Sequence, residues 1–177
     1  TTTVTSVDVS NCGLKASARA ELTKAIKVMA AVLTSINCLA NKFGDDDLAT
    51  LLTAIEGTSV RSLCGLTEGQ TVADFSGQNL GAIDVKIMVA EYGFQGFIAA
   101  VTSMNCLNNP LGDGVQTIIQ VFEETPRLRT LCGLEEGIEK IDWSNSGKRP
   151  ADVALLAADL KAGRAGAAPV SYTHLRA

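Results

Sequence analysis

The stretch VTSMNCLNNPLGDG at 101–114 repeats LTSINCLANKFGDD at 33–46, and the offset between the two is 68 residues. The same offset relates RTLCGLEEG at 129–137 to RSLCGLTEG at 61–69. Identities that cluster at one fixed offset indicate an internal duplication, here of 33–100 as 101–168. Units of this kind bury apolar surface by packing against their neighbours, so the sequence predicts a repeat architecture.

Smaller modules with a regular apolar spacing lie within each unit. At 33–43 the apolar residues and one asparagine occupy positions 1, 4, 6, 9 and 11; they are Leu33, Ile36, Cys38, Asn41 and Phe43. The same spacing recurs with Val101, Met104, Cys106, Asn109 and Leu111, and at the N-terminus with Val4, Val7, Val9, Cys12 and Leu14. The triplets DVS, DFS and DWS align Val9, Phe75 and Trp143 in one inward-facing column, so Trp143 is expected in the core rather than as an exposed binding residue. Module starts then fall near 4, 33, 70, 101 and 138.

Helical patterns separate the strand-like motifs. Residues 16–31 are rich in helix formers, with Leu22, Ile26 and Met29 spaced for one helix face. Residues 45–56 open with three aspartates, which favour a helix N-terminus over a calcium loop because the alternating oxygen ligands of such a loop are missing. Further helices are predicted at 82–92, 113–124 and 150–162. Strand, turn and helix therefore alternate five times along the chain.

The spacing LxxLxLxxNxL over residues 4 to about 162 resembles the leucine-rich repeat of the ribonuclease-inhibitor type. This resemblance implies an α/β solenoid: a right-handed horseshoe with short parallel strands on its concave face and helices on its convex face. It also implies a non-catalytic scaffold that binds a protein partner through the concave surface. Asn41 and Asn109 are expected to cap backbone groups in the turns that leave the strands. The LCGL segments at 63–66 and 131–134 are either outward loops or irregular repeats, and the sequence leaves both open.

The residue between the second and third apolar positions of each module points away from the core and is polar throughout. In chain order these residues are Asp8, Asn37, Asp74, Asn105 and Asp142. The flanking candidates for partner binding are Thr34, Ser35, Thr102, Ser103 and Lys140. A partner that is basic or rich in hydrogen-bond donors would suit such a face. The alternative is a solvated ladder that the duplication has preserved, with binding elsewhere.

Composition and motifs argue against several other functions. The net charge is -4 and no basic cluster offsets it, which disfavours nucleic acid and anionic membranes as partners. Phosphate-binding, nucleophile-elbow and zinc-protease motifs are missing from the sequence, so we expect no enzyme, no cofactor and no bound metal, and a small-molecule ligand is disfavoured. The five cysteines have no metal-ligand spacing. We expect the four that recur at the 68-residue offset to be buried, and all five to be free thiols rather than disulfide or redox partners.

The two ends of the chain raise separate expectations. The sequence begins without methionine and enters a strand-like pattern at once, so it is interpreted as part of a longer cytoplasmic protein. That protein is either a repeat scaffold or a multidomain regulator of the nucleotide-binding receptor or GTPase-activator type. At the other end, PVSYTHLRA replaces the next expected strand motif and resembles translated sequencing-adapter read-through. We therefore predict that 169–177 is a non-native tail rather than a C-terminal cap, which would remove His174, the single histidine, from consideration.

Overall fold

Short strands and helices alternate along the chain in the computed structural model, which describes residues 3–165. The predicted mixed α/β class is confirmed. The elements are β1 (Ser6–Asp8), α1 (Ala16–Val28), β2 (Ser35–Asn37), α2 (Asp45–Ile55), β3 (Val72–Asp74), α3 (Ala82–Gly93), a short 3-10 helix (Phe97–Ala100), β4 (Ser103–Asn105), α4 (Gly114–Glu124) and α5 (Pro150–Ala162). The tail at 169–177 and His174 lie outside the described residues, so the prediction of a non-native tail stays a prediction.

The strands pair in parallel, first with second and third with fourth. In the first sheet Val7 lies opposite Ile36, and in the second Ala73 lies opposite Met104. Parallel neighbours need a crossover connection, and α1 and α3 supply it. Each sheet therefore consists of one strand–helix–strand unit.

The two LCGL segments extend these sheets. Ser62 and Cys64 form isolated bridges to β2, on the side away from β1, and Thr130 and Cys132 form the equivalent bridges to β4. Residues 62–64 and 130–132 therefore form an irregular third strand at the edge of each sheet, and we call these two segments the irregular lanes. They are not outward loops, which decides the question that the sequence left open. A left-handed glycine follows each lane: Gly65 has φ +76°, and an added Cβ there would sit 2.8 Å from the Asn37 Cβ.

The fifth predicted strand is not formed. Residues 138–142 have no regular secondary structure, although an Asp–Ser turn like those after β1 and β3 follows at Asp142. In both sheets of the described range, such a strand pairs with the next strand along the chain. For 138–142 the next strand motif would begin after α5, beyond the described residues.

Two asparagine side chains hold the turns of neighbouring strands together, as the sequence predicted. The Asn41 Oδ1 accepts the amides of Cys12 and Leu14 at 3.1 and 3.2 Å, and its Nδ2 donates to the carbonyls of Val9, Cys38 and Leu39. Asn109 makes the equivalent five bonds in the second sheet. Both side chains are buried, and these bonds satisfy backbone groups that are wholly or partly shielded from water.

The core lies between the sheets and the helices. Strands β2, β3 and β4 and the two irregular lanes each place one buried apolar side chain in the core, and these are Ile36, Ala73, Met104, Leu63 and Leu131. The helices contribute Ile26, Leu51, Met88, Ile118 and Leu155, with α1 packed on α2, α3 on α4 and α4 on α5. In the predicted inward column Phe75 is buried, whereas Val9 and Trp143 are only half-buried, and the Lys148 ammonium lies 5.2 Å from the Trp143 ring centre.

Helices α2, α3 and α5 begin with the same local structure. In each, an aspartate at the third helical position accepts the amide of the residue before the helix. These bonds join Asp47 to Gly44, Asp84 to Gly81 and Asp152 to Arg149, at 2.8–2.9 Å. The aspartates at 45–47 therefore start a helix, as predicted, and Asp45 also pairs with Lys86.

Replacing Asn41 by alanine should lower the free energy of unfolding by about 3 kcal/mol, because buried amides and carbonyls lose their partner. Urea unfolding followed by circular dichroism measures the change. The matched control is Gln116→Ala, an exposed position on α4, which should change stability by less than about 0.5 kcal/mol. Equal effects at the two positions would show that Asn41 does not hold the turns together.

Candidate interaction surface

Five polar residues form what we call the strand-face row: Asp8, Asn37, Asp74, Asn105 and Asp142. Asp8 and Asn37 are register partners in the first sheet, and the Asn37 Nδ2 donates to the Asp8 Oδ2 at 3.3 Å. Asp74 and Asn105 are register partners in the second sheet. The structure therefore arranges four members of the row as two register pairs, one in each sheet. The fifth, Asp142, lies in a segment without regular secondary structure. The row is not one continuous hydrogen-bonded ladder.

The three aspartates of the row each close a tight turn. Their Oδ1 atoms accept the amide two residues later, from Ser10, Ser76 and Ser144, at 2.9–3.0 Å. Hydrogen bonds from the side chain and amide of Ser10 lower the pKa of Asp8 below 3.8, and those from Ser144 lower the pKa of Asp142 in the same way. These two carboxylates are consequently charged at neutral pH, and each keeps an oxygen that the turn does not use.

The flanking residues differ in what they offer to a partner. Thr34 and Thr102 are half-buried, and their hydroxyls already donate to the carbonyls of Thr5 and Thr71. Ser103 is half-buried on β4, and Lys140 is exposed, with its ammonium 3.7 Å from Asp142.

Ser35 is a correction to the predicted surface. It is 1% exposed because it lies in β2 between Ser6 of β1 and Ser62 of the irregular lane. Its side chain therefore offers no area to a partner. Strand alternation places Ser35 on the same side as Asn37. The irregular lane at 62–64, whose pairing was not predicted from the sequence, lies beside Ser35 and buries it.

Four buried carboxylates were missed as a set by the sequence analysis. Asp84 and Glu91 lie seven residues apart on α3, hence on one helix face, and Asp152 and Asp159 repeat this on α5. None is more than 2% exposed, and among residues 3–165 none forms a salt bridge. The signal in the sequence was an acid inside the apolar run IMVAEYGF, with a second acid at the equivalent position 68 residues later.

Backbone amides donate to these carboxylates, and most of them belong to the sheet that precedes the helix. The Asp84 Oδ1 accepts the Ala40 amide at 2.8 Å, in the turn after β2. Glu91 accepts the Leu63 amide and the Ser62 hydroxyl from the irregular lane, and the Ile98 amide from the 3-10 helix. Burial nevertheless raises the pKa of Glu91 above its ordinary 4.5. The four acids thus position α3 on the first sheet and α5 on the second, and they are not arranged as an acid–base pair that faces solvent.

Cysteine chemistry is limited by burial. Four of the five thiols are buried, all five are free, and Cys12 is the exposed one. Burial raises the pKa of Cys38 and of Cys106 to about 12, so neither is a thiolate near neutral pH. The predicted burial is confirmed for the four cysteines that follow the 68-residue repeat, and the predicted free thiol is confirmed for all five.

Within the described range, no three His, Cys, Asp or Glu side chains are grouped so as to hold a metal ion. In the same part of the chain, no helix has the length and apolar character needed to cross a membrane. A scan against protein-family models, a search of curated proteins and a search of solved structures each returned no match. The function therefore has to be argued from the surface itself.

The raised pKa of Glu91 predicts a specific pH dependence of stability. The folded state binds this proton more tightly than the unfolded state, so the stabilisation is complete below about pH 4.5 and is lost as the pH rises through the folded pKa. From pH 4.5 to 7 the unfolding free energy of the native chain should fall relative to that of Glu91→Gln. Urea titrations at constant ionic strength measure the difference. The exposed control Glu135→Gln should follow the native chain, and a pH-independent difference between native chain and Glu91→Gln would contradict the assignment.

Thiol accessibility gives an independent test of the packing. One equivalent of a maleimide should label the folded chain, at Cys12, and full labelling should require denaturant. Mass spectrometry of tryptic peptides locates the label. Rapid labelling of Cys64 or Cys132 without denaturant would mean that the irregular lanes open readily.

Proposed function

We propose that the chain is a non-catalytic scaffold that binds a protein partner through the strand face, and that its units form a leucine-rich-repeat solenoid with that face concave. Three observations support the solenoid. Short strands pair in parallel across a helical crossover, Asn41 and Asn109 repeat one turn structure, and the irregular lanes extend both sheets in the same manner. The proposal of a protein partner rests on the resemblance in the sequence and on the row described above.

One observation carries the proposal most directly. Asp8 and Asp74 are exposed on their strands, Asp142 is exposed in the irregular segment 138–142, and turns of one geometry fix the positions of all three. Rigid carboxylates on a preformed face lose little conformational freedom on binding, which favours association. Each retains one oxygen that arginine, lysine or amide donors of a partner can approach.

Charge removal at the row tests this proposal. In the triple variant Asp8→Asn, Asp74→Asn and Asp142→Asn, the side-chain oxygen still accepts the serine amide, so the turns are kept while the charges are lost. A partner captured from an extract of the source cells by the immobilised chain, and then purified, should bind this variant at least about ten-fold more weakly. Surface plasmon resonance at two salt concentrations measures the affinity.

The matched control removes three exposed acids from the helices instead, as Glu21→Gln, Asp46→Asn and Glu124→Gln. This variant should bind like the native chain. If the control loses the partner and the row variant keeps it, the row is the solvated ladder considered above, and the binding surface lies on the helices.

A further inference from the structure

A cleft of about 520 Å³ lies between α2 and α3, outside the strand face. Its apolar walls come from Leu52 and Ile55 on α2 and from Ala90 and Phe94 on the α3 side. Its mouth carries Glu56, Gly57 and Arg61, immediately after the C-terminus of α2. Backbone carbonyls at that end of a helix carry partial negative charge, so the cleft suits a cation.

The duplication provides an occupied version of the same cleft, between α4 and α5. There the Arg164 guanidinium donates from Nη1 to the carbonyls of Phe122, Thr125 and Leu128 at 2.9–3.0 Å. It also lies over the Phe122 ring, 4.6 Å from the ring centre. Arg164 of the chain itself thus fills the second cleft. Hydrogen bonds to three backbone carbonyls and a cation–π contact with Phe122 hold its guanidinium in place.

The first cleft lacks this arginine because the position 68 residues earlier is Gly96. Backbone crowding excludes a side chain there, since an added Cβ would lie 2.4 Å from the Arg61 carbonyl oxygen. The carbonyls equivalent to those of Thr125 and Leu128 belong to Gly57 and Val60. Among residues 3–165 no donor reaches the Gly57 carbonyl, and Phe94 supplies an aromatic ring beside it.

Arg61 occupies part of the first cleft and has an alternative position. Its Nη1 donates to the carbonyls of Thr58 and Val60 at 2.8 Å. The equivalent arginine of the second unit, Arg129, pairs instead with Glu136. The first unit has the same acid at Glu68, which is exposed and forms no salt bridge among the described residues. The second unit therefore offers, at the position of Glu68, a geometry that Arg61 can adopt.

We propose that the α2–α3 cleft binds an arginine side chain of a partner polypeptide, and that Arg61 turns to Glu68 to admit it. The incoming guanidinium donates to the Gly57 and Val60 carbonyls, stacks on Phe94 and pairs with the Glu56 carboxylate. This site is independent of the strand face, so either proposal can fail without the other.

The experiment titrates the isotope-labelled full chain with the capped tripeptide acetyl-Gly-Arg-Gly-amide and follows backbone amide shifts. Saturable shifts should be confined to 52–61, to 90–97 and, because Arg61 moves to Glu68, to 67–69, with a dissociation constant in the millimolar range expected for a single side chain. The same peptide with neutral citrulline should bind at least about ten-fold more weakly, because the charge-assisted bonds are lost. Equal binding of the lysine peptide, or no shifts in these segments at about 10 mM peptide, would overturn the proposal.

Three variants separate this site from a merely apolar groove. Arg61→Gln removes the resident guanidinium and should tighten binding about five-fold, whereas Glu68→Gln and Phe94→Ala should each weaken it by a similar factor. The matched control is Arg129→Gln in the second unit, which should leave the affinity unchanged. Weaker binding by Arg61→Gln, with circular dichroism unchanged, would mean that Arg61 contacts the ligand, and it would overturn the proposed movement. If the Asp8, Asp74 and Asp142 variant abolishes the shifts, the peptide binds the strand face and not the cleft.

Discussion

Side-chain acceptors that satisfy buried backbone amides are the constraint on which the rest of the structure depends. Irregular turns and lanes leave amides without strand or helix partners, and an unpaired buried amide costs about 1–3 kcal/mol. Asn41 and Asn109 accept the turn amides within each sheet. The carboxylates of Asp84, Glu91 and their repeats accept amides of the sheet that precedes their helix. These acceptors stabilise the turns and irregular lanes, and those turns bring the strands and helices together around the apolar core.

The sequence predicted the parts of this fold that periodicity and turn chemistry determine. The five α-helices of residues 3–165, four strand positions and the two asparagines were predicted, because apolar spacing and residue type specify them locally. The irregular lanes were not, since Ser62–Cys64 and Thr130–Cys132 become strand-like only through β2 and β4. No strand forms at 138–142, where one was predicted; a parallel strand needs a neighbour, and no residue of 3–165 pairs with this segment.

The candidate surface was predicted residue by residue but not in its arrangement. Alternation correctly placed Asp8 and Asp74 on the exposed side of their strands, whereas Asp142 is exposed without a strand. The turns that these aspartates close with the serines two residues later were not predicted. Alternation also placed Ser35 on the exposed side, and the neighbouring lane buries it. The α2–α3 cleft had no signature in the sequence at all. The proposed arginine ligand follows from a comparison of Gly96 with its repeat position Arg164, and that comparison requires the structure of both clefts.

The boundary between the two sheets has a consequence for how such a chain grows. No strand pairing joins 62–64 to β3 in the described part of the chain; carboxylates on α3 make the junction instead, together with the backbone bond from Phe97 to Arg61. A gene crossover within 66–71 would therefore insert a whole sheet without disturbing any strand register. Each inserted copy would bring its own two acids to dock on the copy before it. Variation in length by complete units, rather than by single strands, is the form of divergence that this junction permits.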